Sequence, residues 1–325
     1  MAECLISIGS NLGDRSHVID SALAAMEASS AIVVRSVSSR HATQPVGGPA
    51  GQGEFMNAAA VIETSLPPVA LLHELQLLEI AASRTRDIRW GARSLDLDLL
   101  LYDDVVIDDE RLVLPHPRMA FRRFVLAPAA EIAPTMVHPL LGRSVAEMLE
   151  HLGQAPNYIA VTGVPKLGKS KLAAVASKRT ESIAISDDLA VDSQIKPSPI
   201  PSLQTEIEFI SRRSVLLQTD VPTKRERYLI SDFWLGQSLA YATHLSTEHY
   251  QQLKQALHDS SPDTISPKLI VLVELGAGDA DNSYDTIQRN LGELLRQPGQ
   301  PPILRLNAAN PSWNEEEIVA AILAM

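Results

Sequence analysis

The chain has 325 residues, 45% of them hydrophobic, a length that favours two domains over one core. Its formal net charge of −11 argues against nucleic acid or an anionic membrane as a partner of the whole protein. The single cysteine, Cys4, excludes an internal disulfide and is typical of a reducing compartment. Since the sequence shows no basic leader and no apolar run of about 20 residues, we expect a cytoplasmic protein.

The first half predicts short strands that alternate with amphipathic helices. A turn, GSNLGD at 9–14, leads from the first strand into a helix, and a loop with four glycines and two prolines occupies 40–53. Loops of that length inside a compact domain are more often functional than idle. The other predicted elements are strands at 4–8, 31–39 and 55–64, a helix at 67–82, a turn-like stretch at 116–134 and a short helix near 144–151.

The stretch GQAPN (153–157) interrupts this pattern, and we place the domain boundary there, between residues 1–153 and 157–325. The second half again alternates strands with helices, which predicts a parallel sheet. Its predicted strands are 157–163, 182–186, 228–234, 268–275 and 302–307, and its predicted helices are 169–179, 203–218, most of 236–258, 283–296 and a final one.

Two aspartates stand inside a leucine-rich strand, RSLDLDLLLY at 93–102. Strand alternation places Asp96 and Asp98 on one face and Leu95, Leu97 and Leu99 on the other. The polar pattern stops after Asp98, so this face predicts the mouth of a pocket. Carboxylates at this spacing suit Mg²⁺, which completes its octahedron with water and phosphate oxygens. The alternative is a partly exposed strand with no ligand.

Arginines are dense near this pair, although the chain as a whole is acidic. Arg84, Arg86, Arg89 and Arg93 lie within ten residues, and Arg111, Arg118, Arg122 and Arg123 follow. Guanidinium groups bind phosphate oxygens in a bidentate way and neutralise charge in phosphoryl-type transfer. The combination predicts a polyanionic small ligand. A solvated arginine patch is the alternative.

Four segments together closely resemble 6-hydroxymethyl-7,8-dihydropterin pyrophosphokinase of folate synthesis: GSNLGD, QPVGGPAGQGEFMNAA, RTRDIRWGARSLDLDLLLYD and PHPRMAFRRFVLAPAAEIAP. The resemblance covers residues 4 to about 150. It implies a ferredoxin-like α/β fold with two Mg²⁺ ions and ATP as co-substrate. The implied reaction transfers the β,γ-diphosphate of ATP to the pterin hydroxymethyl group and releases AMP.

The resemblance also assigns roles by motif position. Asp96 and Asp98 would hold both Mg²⁺ ions. Asn57 would hydrogen-bond the pterin edge, while Phe55 and Phe124 would stack on its two faces. Glu79 would support the site from the helix at 67–82. The implied cover and phosphate grip comprises Arg84, Arg86, Arg89, Trp90 and Arg93, and the implied ATP contacts are Gln76, Arg111, His116 and Arg122. Singly, the two phenylalanines are more often core residues; their joint occurrence favours the site.

A second motif, GVPKLGKS at 163–170, fits the phosphate-binding pattern G-x-x-x-x-G-K-[ST] between a predicted strand and helix. Backbone N–H groups after Gly163 and Gly168 would surround phosphates, Lys169 would reach the outer phosphates and Ser170 would bind Mg²⁺. A glycine loop that merely turns the chain is the alternative.

The helices predicted within 202–253 resemble those of bacterial deoxynucleoside kinases, a likeness that covers about 157–325. Important parts differ, because Thr162 replaces a glutamate, Phe233 replaces an arginine and the arginine-rich lid is missing; Asp187 or Asp188 is the candidate carboxylate. Without lid arginines, little compensates the negative charge on a phosphoryl group during its transfer. We predict a weak or inactive nucleotide-binding module; an active deoxynucleoside kinase, or a regulatory module forming a homodimer, stays open.

Overall fold

The computed structural model describes residues 1–49, 51–82, 93–187, 202–218, 227–242, 245–276 and 282–325. The chain folds into two compact units, Met1–Gly153 with Ala320–Met325, and Gln154–Val319. None of the helices formed by the described residues combines the length and apolar character that a bilayer-spanning segment needs.

An antiparallel sheet forms the centre of the first unit, in the order β2-β4-β1-β5 with β3 paired to β4. The mixed α/β architecture with this sheet confirms the predicted fold class. Its elements are β1 (Ala2–Ser10), α1 (Arg15–Glu27), β2 (Ile32–Val37), β3 (His41–Thr43), β4 (Phe55–Thr64), α2 (Pro68–Ala81) and β5 (Asp96–Tyr102). Shorter elements follow: β6 (Ile107–Asp108), β7 (Val113–Leu114), α3 (Arg123–Ile132), β8 (Val137–His138), β9 (Arg143–Ser144) and α4 (Val145–Gln154).

The apolar face of this sheet packs against α1 and α2. Ile6 and Ile8 of β1 join Ile19 of α1, Leu75 of α2 and Leu97 of β5 in one buried cluster. Since Leu97 and Leu99 of β5 enter this core, the aspartates on either side of Leu97 point to the opposite face. Burial of the leucines therefore sets the direction of the acidic side chains.

One predicted element differs from the structure, and that prediction was wrong. The stretch 116–134 is not turn-like throughout, because it holds a short 3-10 turn at Met119–Phe121 and then α3. Pro128 lies inside α3, where a proline removes a backbone hydrogen bond. The helix buries Val125, Leu126, Pro128 and Ala129, and this apolar contact offsets the lost bond.

The second unit has a five-stranded parallel sheet in the order β11-β12-β10-β13-β14, which confirms the expected parallel sheet. Its strands are β10 (Tyr158–Gly163), β11 (Ile183–Ile185), β12 (Leu229–Ser231), β13 (Leu269–Glu274) and β14 (Ile303–Asn307). Its helices are α5 (Lys169–Arg179), α6 (Leu203–Leu216), α7 (Gln237–Tyr241), α8 (Thr247–Ser260), α9 (Asn282–Leu295) and the part of α10 (Pro311–Ala324) that precedes Ala320. The glycine motif thus follows the central strand, where ligands of open parallel sheets bind.

Candidate active site

The two aspartates of β5 are partly exposed, with 22% of the Asp96 side chain and 31% of the Asp98 side chain accessible. In the sheet, Asp96 pairs with Gly9 and Asp98 with Ser7 of β1. The carboxylates therefore share one face at the open end of the sheet, as strand alternation predicts, and solvent or a ligand reaches them.

Gly9 is the point where three predicted site residues meet. A Cβ atom built on Gly9 would lie 3.5 Å from Asn57 Oδ1, 3.8 Å from Asp96 Cβ and 3.9 Å from Phe55 Cδ1. Gly9 pairs with Asn57 on β4 and with Asp96 on β5, so the central strand brings the neighbouring strands' side chains together. Sequence reasoning did not single out Gly9. A glycine inside an apolar strand, which often marks a close approach, was the available signal.

Two arginines and a histidine lie beside the carboxylates. Arg93 Nη1 lies 2.7 Å from Asp96 Oδ2. His116 Nε2 and Arg122 Nη1 each lie 3.9 Å from Asp98 Oδ2. Asp98 thus has one positive and one polar neighbour, both too far away for a tight hydrogen bond, so a ligand can displace them.

His116 is held as a neutral ring. Its backbone N–H donates to Leu100 O at 2.9 Å, and its Nδ1 accepts from the Arg118 backbone N–H at 3.2 Å. Burial, reinforced by Arg122 and Arg118, lowers the pKa of His116 to about 3. Because Nδ1 is an acceptor, the neutral ring carries its proton on Nε2, the nitrogen that faces Asp98.

Behind β5, the buried Glu79 of α2 accepts the backbone N–H of Leu97 through Oε1 at 2.8 Å. Leu97 lies between the two aspartates, so Glu79 fixes the backbone that carries both. Gln76 lies one turn earlier on the same helix and is half-buried.

Of the three residues predicted to bind the pterin, Asn57 and Phe55 lie close together at Gly9. Asn57 is buried and donates through Nδ2 to Thr43 Oγ1 at 2.8 Å, which orients its amide. Phe55 and Phe124 are both half-buried. The Arg122 guanidinium lies 5.6 Å from the centre of the Phe124 ring, which links this ring to the Asp98 side of the site.

The structure does not bring every predicted residue to this cluster. Arg111 is exposed between β6 and β7, and its guanidinium lies 3.6 Å from Asp109. The predicted cover residues Arg84, Arg86, Arg89 and Trp90 lie outside the described residues, and so does Asp188.

The donor set fits a hard divalent cation that relies on its substrate for further ligands. Within the described part of the chain, no group of three or more histidine, cysteine or acidic side chains could hold a metal by itself. Two carboxylates on one face, open to solvent, match Mg²⁺, which binds one or two carboxylates plus water and phosphate oxygens. Asp96 and Asp98 are therefore the side chains that would hold it.

In the second unit, the glycine motif forms a compact loop between β10 and α5. A Cβ on Gly163 would clash with Val273 O, and Gly168 has φ +72°, so both positions require glycine. Lys169 Nζ donates to Val164 O at 2.8 Å within the loop, and burial lowers the pKa of Lys169 to about 8. Ser170 is exposed in the first turn of α5.

A buried ion pair in this unit joins Asp187, just after β11, to Arg213 of α6. Arg213 of α6 donates through Nε to Asp187 Oδ2 at 2.6 Å and through Nη1 to Ser238 Oγ at 3.1 Å. Its guanidinium also lies 5.6 Å from the centre of the Phe233 ring, the residue that replaces an expected arginine. Desolvation raises the pKa of Asp187 against the opposite effect of Arg213. Sequence reasoning did not identify Arg213.

Comparisons with known proteins agree with the first-unit geometry. A sequence model of the 7,8-dihydro-6-hydroxymethylpterin-pyrophosphokinase (HPPK) family matches residues 5–134. The 2-amino-4-hydroxy-6-hydroxymethyldihydropteridine pyrophosphokinase of Bacillus subtilis is 47% identical over 127 residues, which cover 39% of this chain and 75% of that protein. The enzyme of the same name from Pseudomonas aeruginosa is 41% identical over 144 residues, covering 44% of this chain and 88% of that protein.

A solved deoxyadenosine kinase from M. mycoides is also similar to this chain, with 12% identity and a TM-score of 0.40 over 52% of this chain and 100% of that one. Family membership is established by the sequence relatives of the first unit, because the alignment covers three quarters or more of each. The chain therefore belongs to the 7,8-dihydro-6-hydroxymethylpterin-pyrophosphokinase family.

Proposed function

We propose that the first unit transfers a diphosphate group from ATP to 6-hydroxymethyl-7,8-dihydropterin and releases AMP, as a step of folate synthesis. The observation that carries this proposal is the meeting of Asp96, Asn57 and Phe55 around Gly9. It joins a carboxylate suited to a metal, an amide suited to a heterocycle edge and an aromatic ring within one small volume.

The pterin side consists of Asn57, Phe55 and Phe124. The Asn57 amide is oriented by Thr43, so it presents a fixed hydrogen-bonding group to a flat heterocycle. The half-buried rings of Phe55 and Phe124 supply apolar faces for stacking. This division of labour is usual for small-molecule sites, where apolar walls bind and a few polar groups orient.

The phosphate side consists of Asp96 and Asp98 with nearby cations. Mg²⁺ held by these carboxylates would neutralise phosphate charge. Arg93 and Arg122 place guanidinium groups beside the same carboxylates, and from there these groups can turn to contact phosphate oxygens. We assign Gln76, His116 and Arg111 to the nucleotide, and Arg84, Arg86, Arg89 and Trp90 to a cover over it.

In the reaction, the pterin hydroxyl oxygen bonds to the β-phosphorus of ATP and releases its proton to solvent, the bond from that phosphorus to the α,β-bridging oxygen breaks, and AMP leaves. Neutral His116 can donate a hydrogen bond to the nucleotide from Nε2 without adding a full charge. Positioning of the two substrates and neutralisation of charge carry most of the rate.

Product analysis tests this function directly. With ATP, the pterin and Mg²⁺, we expect AMP and a diphosphorylated pterin, and we expect a chelator to stop the reaction. Asp96→Asn and Asp98→Asn should each lower AMP formation by at least about 10²-fold. Asp108→Asn, which changes an exposed carboxylate on β6, is the matched control and should leave the rate unchanged. ADP as the product, or a normal rate in Asp98→Asn, would contradict the proposal.

For the second unit we propose nucleotide binding with weak or no phosphoryl transfer. Gly163, Gly168, Lys169 and Ser170 form the phosphate site, supported by the glycine-only geometry of the loop and the Lys169 ammonium inside it. Of the two candidate carboxylates for binding a nucleoside, Asp187 is already paired with Arg213, and Asp188 lies outside the described residues. An active deoxynucleoside kinase is the competing assignment.

Calorimetry with a non-hydrolysable ATP analogue and Mg²⁺ separates the sites in the full chain. We expect two binding sites in the unchanged protein and one in Lys169→Ala. A single site in both proteins would remove the second-unit proposal. Rapid ADP formation with a deoxynucleoside would replace it by the competing assignment.

The remaining assignments concern organisation. We propose two domains, 1–153 and 157–325, in a chain that acts in the cytoplasm, in keeping with its lone cysteine. We also propose that the second domain forms a homodimer contact, which sedimentation of the full chain at several concentrations would reveal or exclude.

A further inference from the structure

Asn11, in the turn after β1, is a buried polar residue that neither the metal pair nor the pterin residues account for. Both its side chain and its backbone form hydrogen bonds with the backbone of Arg93. The Arg93 backbone N–H donates to Asn11 Oδ1 at 2.6 Å, and the Asn11 backbone N–H donates to Arg93 O at 3.0 Å. Only 5% of Asn11 is exposed. Arg93 is thereby attached to the end of the central strand.

The amide nitrogen of Asn11 reaches a different segment, the glycine-rich loop between β3 and β4. Asn11 Nδ2 donates to Gln52 Oε1 at 3.3 Å and to Gly53 O at 3.5 Å. Gln52 in turn donates through Nε2 to Gly47 O at 3.3 Å and Pro49 O at 3.2 Å. Since β4 begins at Phe55, this loop leads directly into the residues assigned to the pterin.

The contacts form one connected path. It runs from the glycine-rich loop through the Asn11 side chain to the Arg93 backbone, and from the Arg93 guanidinium to Asp96 Oδ2 at 2.7 Å. An asparagine side chain has an acceptor on one atom and a donor on the other, which this path needs at the same position. Aspartate could keep the Arg93 arm but could not donate to the loop.

We propose that Asn11 is a positioning residue with two arms: its amide nitrogen holds the pterin-side loop, and its amide oxygen holds the Arg93 backbone and thereby the guanidinium at Asp96. This inference rests on the proposed function of the first unit. It assigns to Asn11 no contact with either substrate. Its effect on turnover passes through Arg93.

Two substitutions separate the two arms. Asn11→Asp keeps the acceptor for Arg93 and removes the donor to the loop, so we expect the KM for the pterin to rise about tenfold with little change in kcat. Asn11→Ala removes both arms and should lower kcat by about 10²-fold, because Arg93 loses its backbone anchor. Asn314→Asp is the matched control for placing a buried aspartate elsewhere: Asn314 is 4% exposed and donates to Asn307 O. It should leave both constants unchanged.

A double-mutant cycle and hydrogen exchange complete the test. In an Arg93→Ala background, Asn11→Ala should add little further loss of kcat, since Asn11 acts through Arg93. Amide exchange should show the Arg93 N–H protected in the unchanged protein and in Asn11→Asp, and unprotected in Asn11→Ala. Additive losses of kcat, or continued protection in Asn11→Ala, would overturn the inference. Exchange does not depend on turnover, so a chain that makes no AMP would contradict the proposed function separately.

Discussion

Each unit contains an arginine–aspartate pair beside its candidate phosphate site, and the two pairs differ in exposure. Arg93–Asp96 has 24% and 22% of its side chains accessible, whereas Arg213–Asp187 has 8% and 9%. Their contact distances are nearly equal, at 2.7 and 2.6 Å. An exposed pair exchanges partners at little cost, whereas separating a buried pair leaves a charge without compensation. Because the contact distances are alike, it is the difference in exposure that leaves Asp96 available to a ligand and holds Asp187 in place.

The largest effect should follow from breaking the buried pair. Arg213→Met leaves the Asp187 carboxylate buried, and we expect the free energy of unfolding of the second unit to fall by about 3–5 kcal/mol. Urea unfolding of the full chain would measure it. Arg179→Met removes an exposed pair with Glu316 and should cost at most about 1 kcal/mol. Equal costs in the two variants would show that exposure does not separate the pairs.

A smaller effect is expected behind the first pair. Glu79→Ala leaves the Leu97 N–H without its carboxylate acceptor in a buried strand, which should lower the free energy of unfolding by about 1–3 kcal/mol and reduce AMP formation. Glu79→Gln keeps an acceptor oxygen and is the control. If both variants lost activity equally, the charge of Glu79 and not its hydrogen bond would be responsible.

Acid should weaken the first unit through His138. Burial lowers the pKa of His138 to about 4, and its Nδ1 accepts the Leu141 N–H. Below pH 6.5, the usual pKa of histidine, the unfolded chain binds a proton at this residue that the folded chain does not. His138 therefore lowers the free energy of unfolding by up to about 1.4 kcal/mol for each unit by which the pH falls between 6.5 and about 4. His138→Asn should flatten this dependence in unfolding titrations; an unchanged slope would exclude His138 as its cause.

The smallest effect is expected on the first activity when the second phosphate site is removed. Lys169→Ala should leave AMP formation from ATP and the pterin within about twofold, because each site has its own cations. Steady-state rates of the full chain would test this. A large loss would mean that the two sites act as one catalytic unit, and the comparison of independent sites would fail.

Local patterns in the sequence predicted much of the fold. The strand at 55–64 and the helix at 169–179 agree with β4 and α5 residue for residue, because periodicity, glycine and proline mark their ends. The stretch that became α3 was misinterpreted, since Pro128 favours a turn locally and burial of its apolar face overrides it. Local preference fails where tertiary contact is stronger.

The candidate site divides in the same way. Asp96 and Asp98 could be placed on one face from strand alternation alone, and a resemblance pointed to Asn57 and Phe55. The meeting of Asp96, Asn57 and Phe55 around Gly9 depends on which strands become neighbours, a property of sheet order that no single segment contains.

By itself, the sequence determined the acidic strand, the glycine motif at 163–170, the parallel second sheet and the family of the first unit, because each depends on residues close together in the chain. Tertiary structure alone decided that Asn11 meets Arg93 and that Asp187 is buried against Arg213, since these partners are 82 and 26 positions apart. The exposure of an ion pair, which determines whether it can give way to a ligand, depends on packing from the whole unit.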